Sequence, residues 1–438
     1  MQIKIPENVE KIINTLEAAG FEAYAVGGCV RDSILDREPN DWDITTSASP
    51  EQTKSLFKKT FDTGIKHGTV SVLLDHVIYE VTTYRIDGEY ADSRHPDSVT
   101  FTDKLSEDLL RRDFTINAMA YNPQRGLVDL YGGQEDIKNG IIRCVGNAED
   151  RFSEDALRIL RALRFSAQLG YDIDEETKLA IKKLAPNLSK ISAERIQTEL
   201  VKLLVSDHPE RLRLAYELGV TKVFLPEFDV MMETGQNNPH HCYSVGEHTI
   251  VVMENIRNDR VLRLAALFHD IGKPATKTTD ENGIDHFKKH PYVGAKMARD
   301  VMHRLKFDND TILRVSRFVE FHDWTIEANP QYIRRYINHI GEEYFPDIFE
   351  INEADRIAQS DYKKEQKIAQ LNELREAYEE VVRNRDCVSL KTLAVSGKDL
   401  IELGIKPGPE IGAILERLLA AVIDDPSLNT KEKLIKMI

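Results

Sequence analysis

The chain changes character near residue 150, and that change limits its fold more than any other feature. Up to about residue 148, runs with the period of strands alternate with runs with the period of helices. From about Phe152 onward the apolar residues recur almost wholly at helical spacing. No convincing strand run, internal repeat or low-complexity linker follows. The pattern predicts an α+β part followed by all-α regions. A length of 438 residues suggests about three domains, each long enough to bury a core.

Residues 7–19 read as an amphipathic helix, with Val9, Ile12, Ile13 and Leu16 on one face and Gly20 as a stop. Phe21 to Val26 reads as a strand running into Gly27-Gly28. Ser49-Pro50 predicts a helix start, with Ser as N-cap and Pro in the first turn. Thr69–Leu74 and Val77–Tyr84 read as strands joined by a short turn at Asp75-His76. Breaks in the helical part are expected near Pro186, Pro226, residues 235–239 and Pro330. The acidic stretch from about residue 341 reads as a solvated helical face rather than an interaction tail.

A hydrophobic content of 41% and a charged content of 30% are those of a globular protein in water. The segment MQIKIPENVEKIINTLEAAG holds no long apolar run, so no signal peptide is expected. No apolar run approaches the ~20 residues of a membrane span. Cys29, Cys144, Cys242 and Cys387 lie far apart, which speaks against a disulfide framework or zinc ribbon and fits a reducing cytoplasm. The net charge of -15 argues against a uniformly basic surface, so any contact with nucleic acid needs a local basic stripe.

Asp41-Trp42-Asp43 follows Gly27-Gly28-Cys29-Val30-Arg31-Asp32 by nine residues. Carboxylates one residue apart on a strand point to the same face, here with Trp42 and Ile44 toward the core. Two Mg²⁺ ions about 3.5–4 Å apart need such a bridging pair. A Gly-Gly turn lets backbone N–H groups approach phosphates. The Asp pair alone also reads as a solvated edge strand. Glu80, the lone charge in Val77–Thr82, is either a third carboxylate on a neighbouring strand or a solvent-facing residue. Arg111, Arg112, Asp113 and Asn117 offer donors for a triphosphate and partners for a ribose, or a surface salt-bridge cluster.

Ser153-Glu154-Asp155 reads as a helix start, with Ser153 as cap. Ala156, Ile159, Leu160, Leu163 and Ala167 form its buried face. Asp155, Arg158, Arg161 and Arg164 recur every third residue, giving the local basic stripe. Asp155 and Arg158 also make a sensible base reader. A carboxylate accepts from the exocyclic amine of adenine or cytosine, while a guanidinium donates to the adjacent ring nitrogen. Guanine and uracil present the reverse polarity. Taken alone, the pair reads better as an i,i+3 surface ion pair worth about 0.2–0.5 kcal/mol.

Together GGCVRD, DWDI, TGIKHGTV, YEVTTYR, YADSRHPDSVTFT, RRDFTINAMAY, SEDALRILRALRF and ISAERIQTEL, in order over roughly residues 20–205, resemble the class II tRNA nucleotidyltransferase and bacterial poly(A) polymerase family. The resemblance implies a polymerase-beta-like head with a mixed sheet, then an all-α neck, HD region and tail. The divisions would be 1–148, 149–235, 236–360 and 361–438. It implies Asp41 and Asp43 as Mg²⁺ ligands, with Glu80 the less secure third catalytic acid. Gly28, Arg31 and Arg112 would meet the phosphates or sugar, and Asp113 and Asn117 the ribose side. Asp155 and Arg158 would read the base, Arg161 and Arg164 would complete the pocket, and Glu194 and Arg195 would brace the neck. The implied reaction is transfer from CTP and ATP to a tRNA 3′ end, building C-C-A. Segment 89–110 resembles the flexible loop of enzymes that make all three additions.

His248, His269-Asp270-Ile271-Gly272-Lys273-Pro274, His290, His322 and Asp355 resemble the HD metal-dependent phosphohydrolase pattern. The expected direct ligands are His248, His269, Asp270 and Asp355, suited to a divalent metal. His286, His303 and His339 read as surface residues. Two alternatives stand beside C-C-A addition. One is a poly(A) polymerase, less favoured because this C-terminal region is acidic where those relatives tend to carry a basic tail. The other is an HD phosphohydrolase whose head only holds RNA.

Overall fold

The computed structural model describes residues 2–88, 99–324 and 326–438, with only the backbone of Thr63. Residues 89–98, the first part of the segment expected to be a flexible loop, lie outside the described residues. The chain divides into two compact units, Met1–Pro226 and Glu227–Ile438.

The nine strands described up to residue 129 are β1 Ala23–Val26, β2 Asp43–Thr46, β3 Thr60–Gly64, β4 Thr69–Leu74, β5 Val77–Thr83, β6 Arg85–Asp87, β7 Val99–Phe101, β8 Met119–Asn122 and β9 Gly126–Asp129. Seven of them form one sheet in the order β3-β4-β5-β2-β1-β8-β9, while β6 and β7 pair separately. Every pairing in the large sheet is antiparallel except β2–β5, which is parallel, so the sheet is mixed. The β4–β5 turn carries Asp75 and His76 at φ 48 and 66. Both central residues of a tight two-residue hairpin need positive φ, which Asp tolerates well.

Helices α1 Glu7–Ala18, α2 Gly28–Ile34 and α3 Pro50–Leu56 follow the sequence pattern. The apolar face of α1, Val9, Ile12, Ile13 and Leu16, is fully buried. Helix α3 starts with a reciprocal capping box between Ser49 and Gln52. Next come α4 Leu105–Leu110, α5 Gly133–Asn139, α6 Ala148–Glu154, α7 Leu157–Leu169, α8 Glu175–Leu184 and α9 Ala193–Leu204.

The expected helix start at Ser153 is corrected. Ser153 sits inside α6, which is capped by Asn147. Asp155 has extended backbone (φ -135, ψ 104) and breaks the helix. Its Oδ1 then accepts from Leu157 N at 2.9 Å, so Asp155 itself caps α7. Ile159, Leu160, Leu163 and Ala167 of α7 are buried as expected. The helical part also holds two-residue strands the pattern did not show, Asp172–Ile173, Thr278–Thr279 and Asp285–His286.

The second unit is built from helices. Val245–Glu254, Arg260–Phe268, His290–Arg304, Asn309–Phe321 and Phe345–Ala358 surround buried Leu264, Phe268, Val315, Phe318 and Ile348. A separate C-terminal core gathers Val395, Leu400, Leu418, Val422 and Leu434. No helix of the described residues is long and apolar enough to cross a membrane. All four cysteines are free, and only Cys242 is exposed.

Candidate active site and metal centre

The parallel junction of β2 and β5 builds the acidic site. Register pairs Asp43 with Glu80, Ile44 with Val81 and Thr45 with Thr82. Side chains alternate along each strand, so Asp43 and Glu80 share one face while Ile44 and Val81 are buried on the other. Glu80 is therefore both solvent-facing and a neighbour of the Asp pair, so the two readings of it merge. The expected strand over both acids is corrected: β2 starts at Asp43, so Asp41 and Trp42 precede it, Asp41 exposed and Trp42 half-buried. Burial of the surrounding chain, then the charge of Asp41, and last Glu80 push the Asp43 carboxyl up to about 6, against the pull of Arg112. The Asp43 side chain itself stays open to solvent. Three neighbouring carboxylates, with the proton affinity of Asp43 raised, form a donor set that fits a hard divalent cation.

Behind this face lies Asp108, fully buried. It accepts from Thr45 Oγ1 at 3.1 Å and from Arg111 at 2.8 and 2.9 Å, and lies 3.6 Å from Arg112 Nη2. Burial works to raise its pKa, and Arg111 and Arg112 overcome that and lower it. Arg112 leans over the Gly27 turn. A Cβ on Gly27 would stand 2.9 Å from Arg112 Nη1, and φ there is +84. Gly27, rather than Gly28, is thus the glycine the turn requires. Arg112 Nε is buried without a hydrogen-bond partner among the described residues.

Arg31 of α2 donates to Asn117 Oδ1 at 2.7 Å and pairs with Asp32 at 2.8 Å. Asn117 Nδ2 donates to Asp113 Oδ1 at 3.2 Å, and Arg161 binds Asp113 Oδ2 at 2.7 and 2.8 Å. Burial would raise the Asp113 carboxyl, but Arg161 and Arg158 hold it well below the usual range.

The expected surface stripe is corrected as well. Arg158 and Arg164 are buried, because each has an acidic partner. Arg158 binds Glu154 Oε2 at 2.6 Å and the Arg111 carbonyl at 3.0 Å. Arg164 binds Glu199 Oε2 at 2.5 Å, with both side chains under a tenth exposed. Asp155 pairs not with Arg158 but with Arg195 of α9, at 2.8 Å. The break at Asp155 takes the two residues off a common helix, which removes the i,i+3 geometry. Arg195 Nη1 is buried with no hydrogen-bond partner among the described residues, and Glu194 is exposed.

In the second unit, Asp270 is the hub of a histidine cluster. His248, His269 and Asp270 bring donor atoms within 4.8 Å of one another, and so do Asp270, His290 and His322. Asp355 stands 2.8 Å from His248 Nε2 and 3.9 Å from His269 Nε2. The Nδ1 atoms of His269, His290 and His322 bond the carbonyls of Ala266, Phe287 and Val319 at 2.7, 2.8 and 2.8 Å. His248 Nδ1 reaches the Ala358 carbonyl at 3.3 Å. These bonds turn all four Nε2 atoms inward, the usual support of metal-bound imidazoles. His269 Nε2 lies 3.2 Å from Asp270 Oδ2. Lys273 Nζ lies 2.7 Å from Asp270 Oδ2. Burial would raise the Asp270 carboxyl, yet His269 and Lys273 hold it far below its ordinary value. The cluster opens into a cavity of about 300 Å³ that Asn238, His241, Lys288 and Gln359 help to line.

Residues 23–143 match the family described as Poly A polymerase head domain, and 170–232 that described as probable RNA and SrmB-binding site of polymerase A. Residues 240–335 match the HD domain and 291–438 the putative tRNA nucleotidyltransferase domain 2. The chain is 36% identical over 432 residues to a CCA-adding enzyme of Leuconostoc mesenteroides, covering 98% of this chain and 95% of that one. The chain belongs to the family of CCA-adding enzymes. It is thus a tRNA nucleotidyltransferase. A CCA-adding enzyme of Levilactobacillus brevis is 36% identical, with 99% of both chains covered. The Bacillus stearothermophilus CCA-adding enzyme, solved in complex with CTP, superposes with a TM-score of 0.71 at 31% identity, covering 99% of this chain and 98% of that one.

Within this chain the structure sets Asp43 and Glu80 on one face, with Asp41 near enough for its charge to act on Asp43. It joins Arg31, Asn117, Asp113 and Arg161 in one network. Arg164 is instead turned into the α7–α9 contact. His290 and His322, which the sequence pattern contained but the expected ligand set left out, sit in the metal centre. Sequence reasoning missed Asp108, Lys273 and His241. Lys273 stands inside the quoted His269–Pro274 motif and Asp108 within segment 89–110, just before RRDFTINAMAY, so proximity in sequence was the available signal.

Proposed function

We propose that this chain completes tRNA 3′ ends with C-C-A from CTP and ATP, choosing nucleotides without a nucleic-acid template. The observation that carries the reading is the register of Asp43 beside Glu80, with Asp41 close by. Mg²⁺ held by Asp41 and Asp43, with Glu80 alongside, would activate the RNA 3′-hydroxyl and steady the departing pyrophosphate. The oxygen of that hydroxyl forms a bond to the α-phosphorus as the bond to the pyrophosphate oxygen breaks. The chain's own part is positioning and charge. Arg112, backed by Asp108, and Arg31, backed by Asn117 and Asp32, face the triphosphate beside the Gly27-Gly28 turn. Asp113 and Asn117 lie toward the sugar.

Asp155 and Arg158 read the base. The Asp155 carboxylate accepts from the exocyclic amine that cytosine and adenine share. Arg158, fixed by Glu154 and the Arg111 carbonyl, donates to the neighbouring ring nitrogen. Guanine and uracil would place acceptor against acceptor and donor against donor, leaving buried groups unpaired. The unpartnered Arg112 Nε and Arg195 Nη1 are donors a bound nucleotide would satisfy. Head, neck, HD and tail parts divide near residues 148, 235 and 360 in this reading. A tRNA substrate and four free cysteines support a cytoplasmic location.

The HD cluster favours a second activity. Two donor trios share Asp270, and their imidazoles are oriented by carbonyls. They fit one or two divalent transition metals and suit hydrolysis of a phosphate ester. Asp43→Ala tests the assignment. It should abolish nucleotide incorporation and leave any phosphatase activity intact. Retained incorporation would remove Asp43 from the chemistry.

A further inference from the structure

Phe165 of α7 is buried, and three guanidinium groups lie against its ring. Their central carbons are 4.9 Å (Arg31), 5.4 Å (Arg161) and 3.9 Å (Arg164) from the ring centroid. Three like charges around one ring repel unless each has its own counter-group. Each does: Asp32 for Arg31, Asp113 for Arg161 and Glu199 for Arg164. The ring is itself held edge-on by Phe114, with centroids 5.8 Å apart at 81°. The Phe114 N–H in turn donates to Asp113 Oδ1 at 2.9 Å.

The contacts close a circuit. Arg31 donates to Asn117, Asn117 donates to Asp113, Asp113 accepts from Arg161, and Arg161 and Arg31 meet again on Phe165. One side of the circuit is α2, beside the Gly27-Gly28 turn. The other is α7, one turn beyond Arg158. We propose that Phe165 is a positioning residue that fixes the separation between the phosphate-side Arg31 and the base-side helix α7, and so ties base choice to triphosphate alignment. This rests on the base-reading role given above for Asp155 and Arg158. An aromatic face does what an aliphatic side chain of similar volume does not. Its negative quadrupole attracts cations without demanding one hydrogen-bond direction, so several guanidiniums can share it.

The test uses the full chain, tRNA lacking its terminus, and CTP or UTP as sole nucleotide. Phe165→Leu, which fills space without a ring, should lower kcat for CTP about tenfold with little change in KM. It should raise the UTP-to-CTP incorporation ratio about tenfold, the range expected for lost cation–π contacts. Phe165→Tyr keeps the ring and should hold the ratio within about threefold. A merely structural role would lower activity without moving the ratio. An unchanged ratio in folded Phe165→Leu therefore overturns the proposal, as does a Tyr variant that misincorporates as freely as Leu. If Phe165→Leu melts below the assay temperature, Phe165→Met, which also fills space without a ring, is read by the same ratio, and an unchanged ratio there overturns the proposal equally. Asp155→Ala is measured alongside. A relaxed ratio there with an unchanged one in Phe165→Leu overturns this inference alone. Unchanged ratios in both overturn the base-reading role itself.

Discussion

Asp43 and Glu80 stand in register on adjacent parallel strands, at the one parallel junction of the seven-stranded sheet among the described residues. That pairing brings the two carboxylates onto one open face, and the Glu80 charge is one of those that make Asp43 less willing to ionise. Because the Asp43 side chain is exposed, the effect bears on cation affinity rather than on stability.

A pH dependence follows. Burial of its surroundings, then Asp41 and Glu80, raise the Asp43 carboxyl to about 6, so the proton competes with the cation below that pH. The Mg²⁺ concentration for half-maximal CMP incorporation should rise about tenfold per unit as pH falls below 6, and level off above 7. Glu80→Gln removes one of the raising charges and should move the break to lower pH. A Mg²⁺ requirement that is flat from pH 5 to 8 contradicts the assignment.

Base choice should depend on Asp155. Asp155→Ala removes the acceptor for the exocyclic amine and leaves Arg195 without its partner. The preference of kcat/KM for CTP over UTP should fall by about ten- to hundredfold, the effect of one buried hydrogen-bonding group of 1–3 kcal/mol. Arg195→Ala should relax it less, because Leu157 N still orients the carboxylate. Single-nucleotide incorporation assays measure both.

The Arg164–Glu199 pair joins α7 to α9 in a buried setting. Arg164→Met alone or Glu199→Ala alone should destabilise the chain by about 3–5 kcal/mol, since each leaves an uncompensated buried charge. Arg164→Met with Glu199→Leu together should cost far less. Urea unfolding of the full chain provides the comparison, and a cost in the double variant equal to the two single ones summed would contradict a paired role.

Parts of this architecture were legible because they depend on local period alone. The buried stripe of α1, the Ser49 cap and the β4–β5 hairpin all follow from spacings of two to four residues. The acidic residues were legible as types. Their meeting was not, because the β2–β5 register joins segments 37 residues apart. The arginines show the same limit. Their partners, Asp113 and Glu199, lie 48 and 35 residues away from Arg161 and Arg164. Apolar period runs unbroken through residue 155 and so hid the break between α6 and α7. Phe165 reads in sequence as one more core side chain. His290 and His322 stood in the motif, but only the fold turns their Nε2 atoms toward Asp270.

The HD cluster should bind metal measurably. Zn²⁺ or Mn²⁺ added to metal-free protein should raise its melting temperature, by mass action on the folded state. Asp270→Ala removes the carboxylate both trios share and should abolish the rise, while His322→Ala should lower the metal-to-protein ratio found by elemental analysis. A shift that survives Asp270→Ala would place the metal elsewhere.

The most direct measurement gives the full chain a tRNA lacking all three residues of C-C-A, with CTP and ATP together, and reads the product to single-nucleotide length. The arrangement of Asp41, Asp43, Glu80, Asp155 and Arg158 predicts three added nucleotides, cytidine, cytidine and adenosine in that order, then a stop. Long adenosine tails, or no extension while Asp43 is intact, would contradict it.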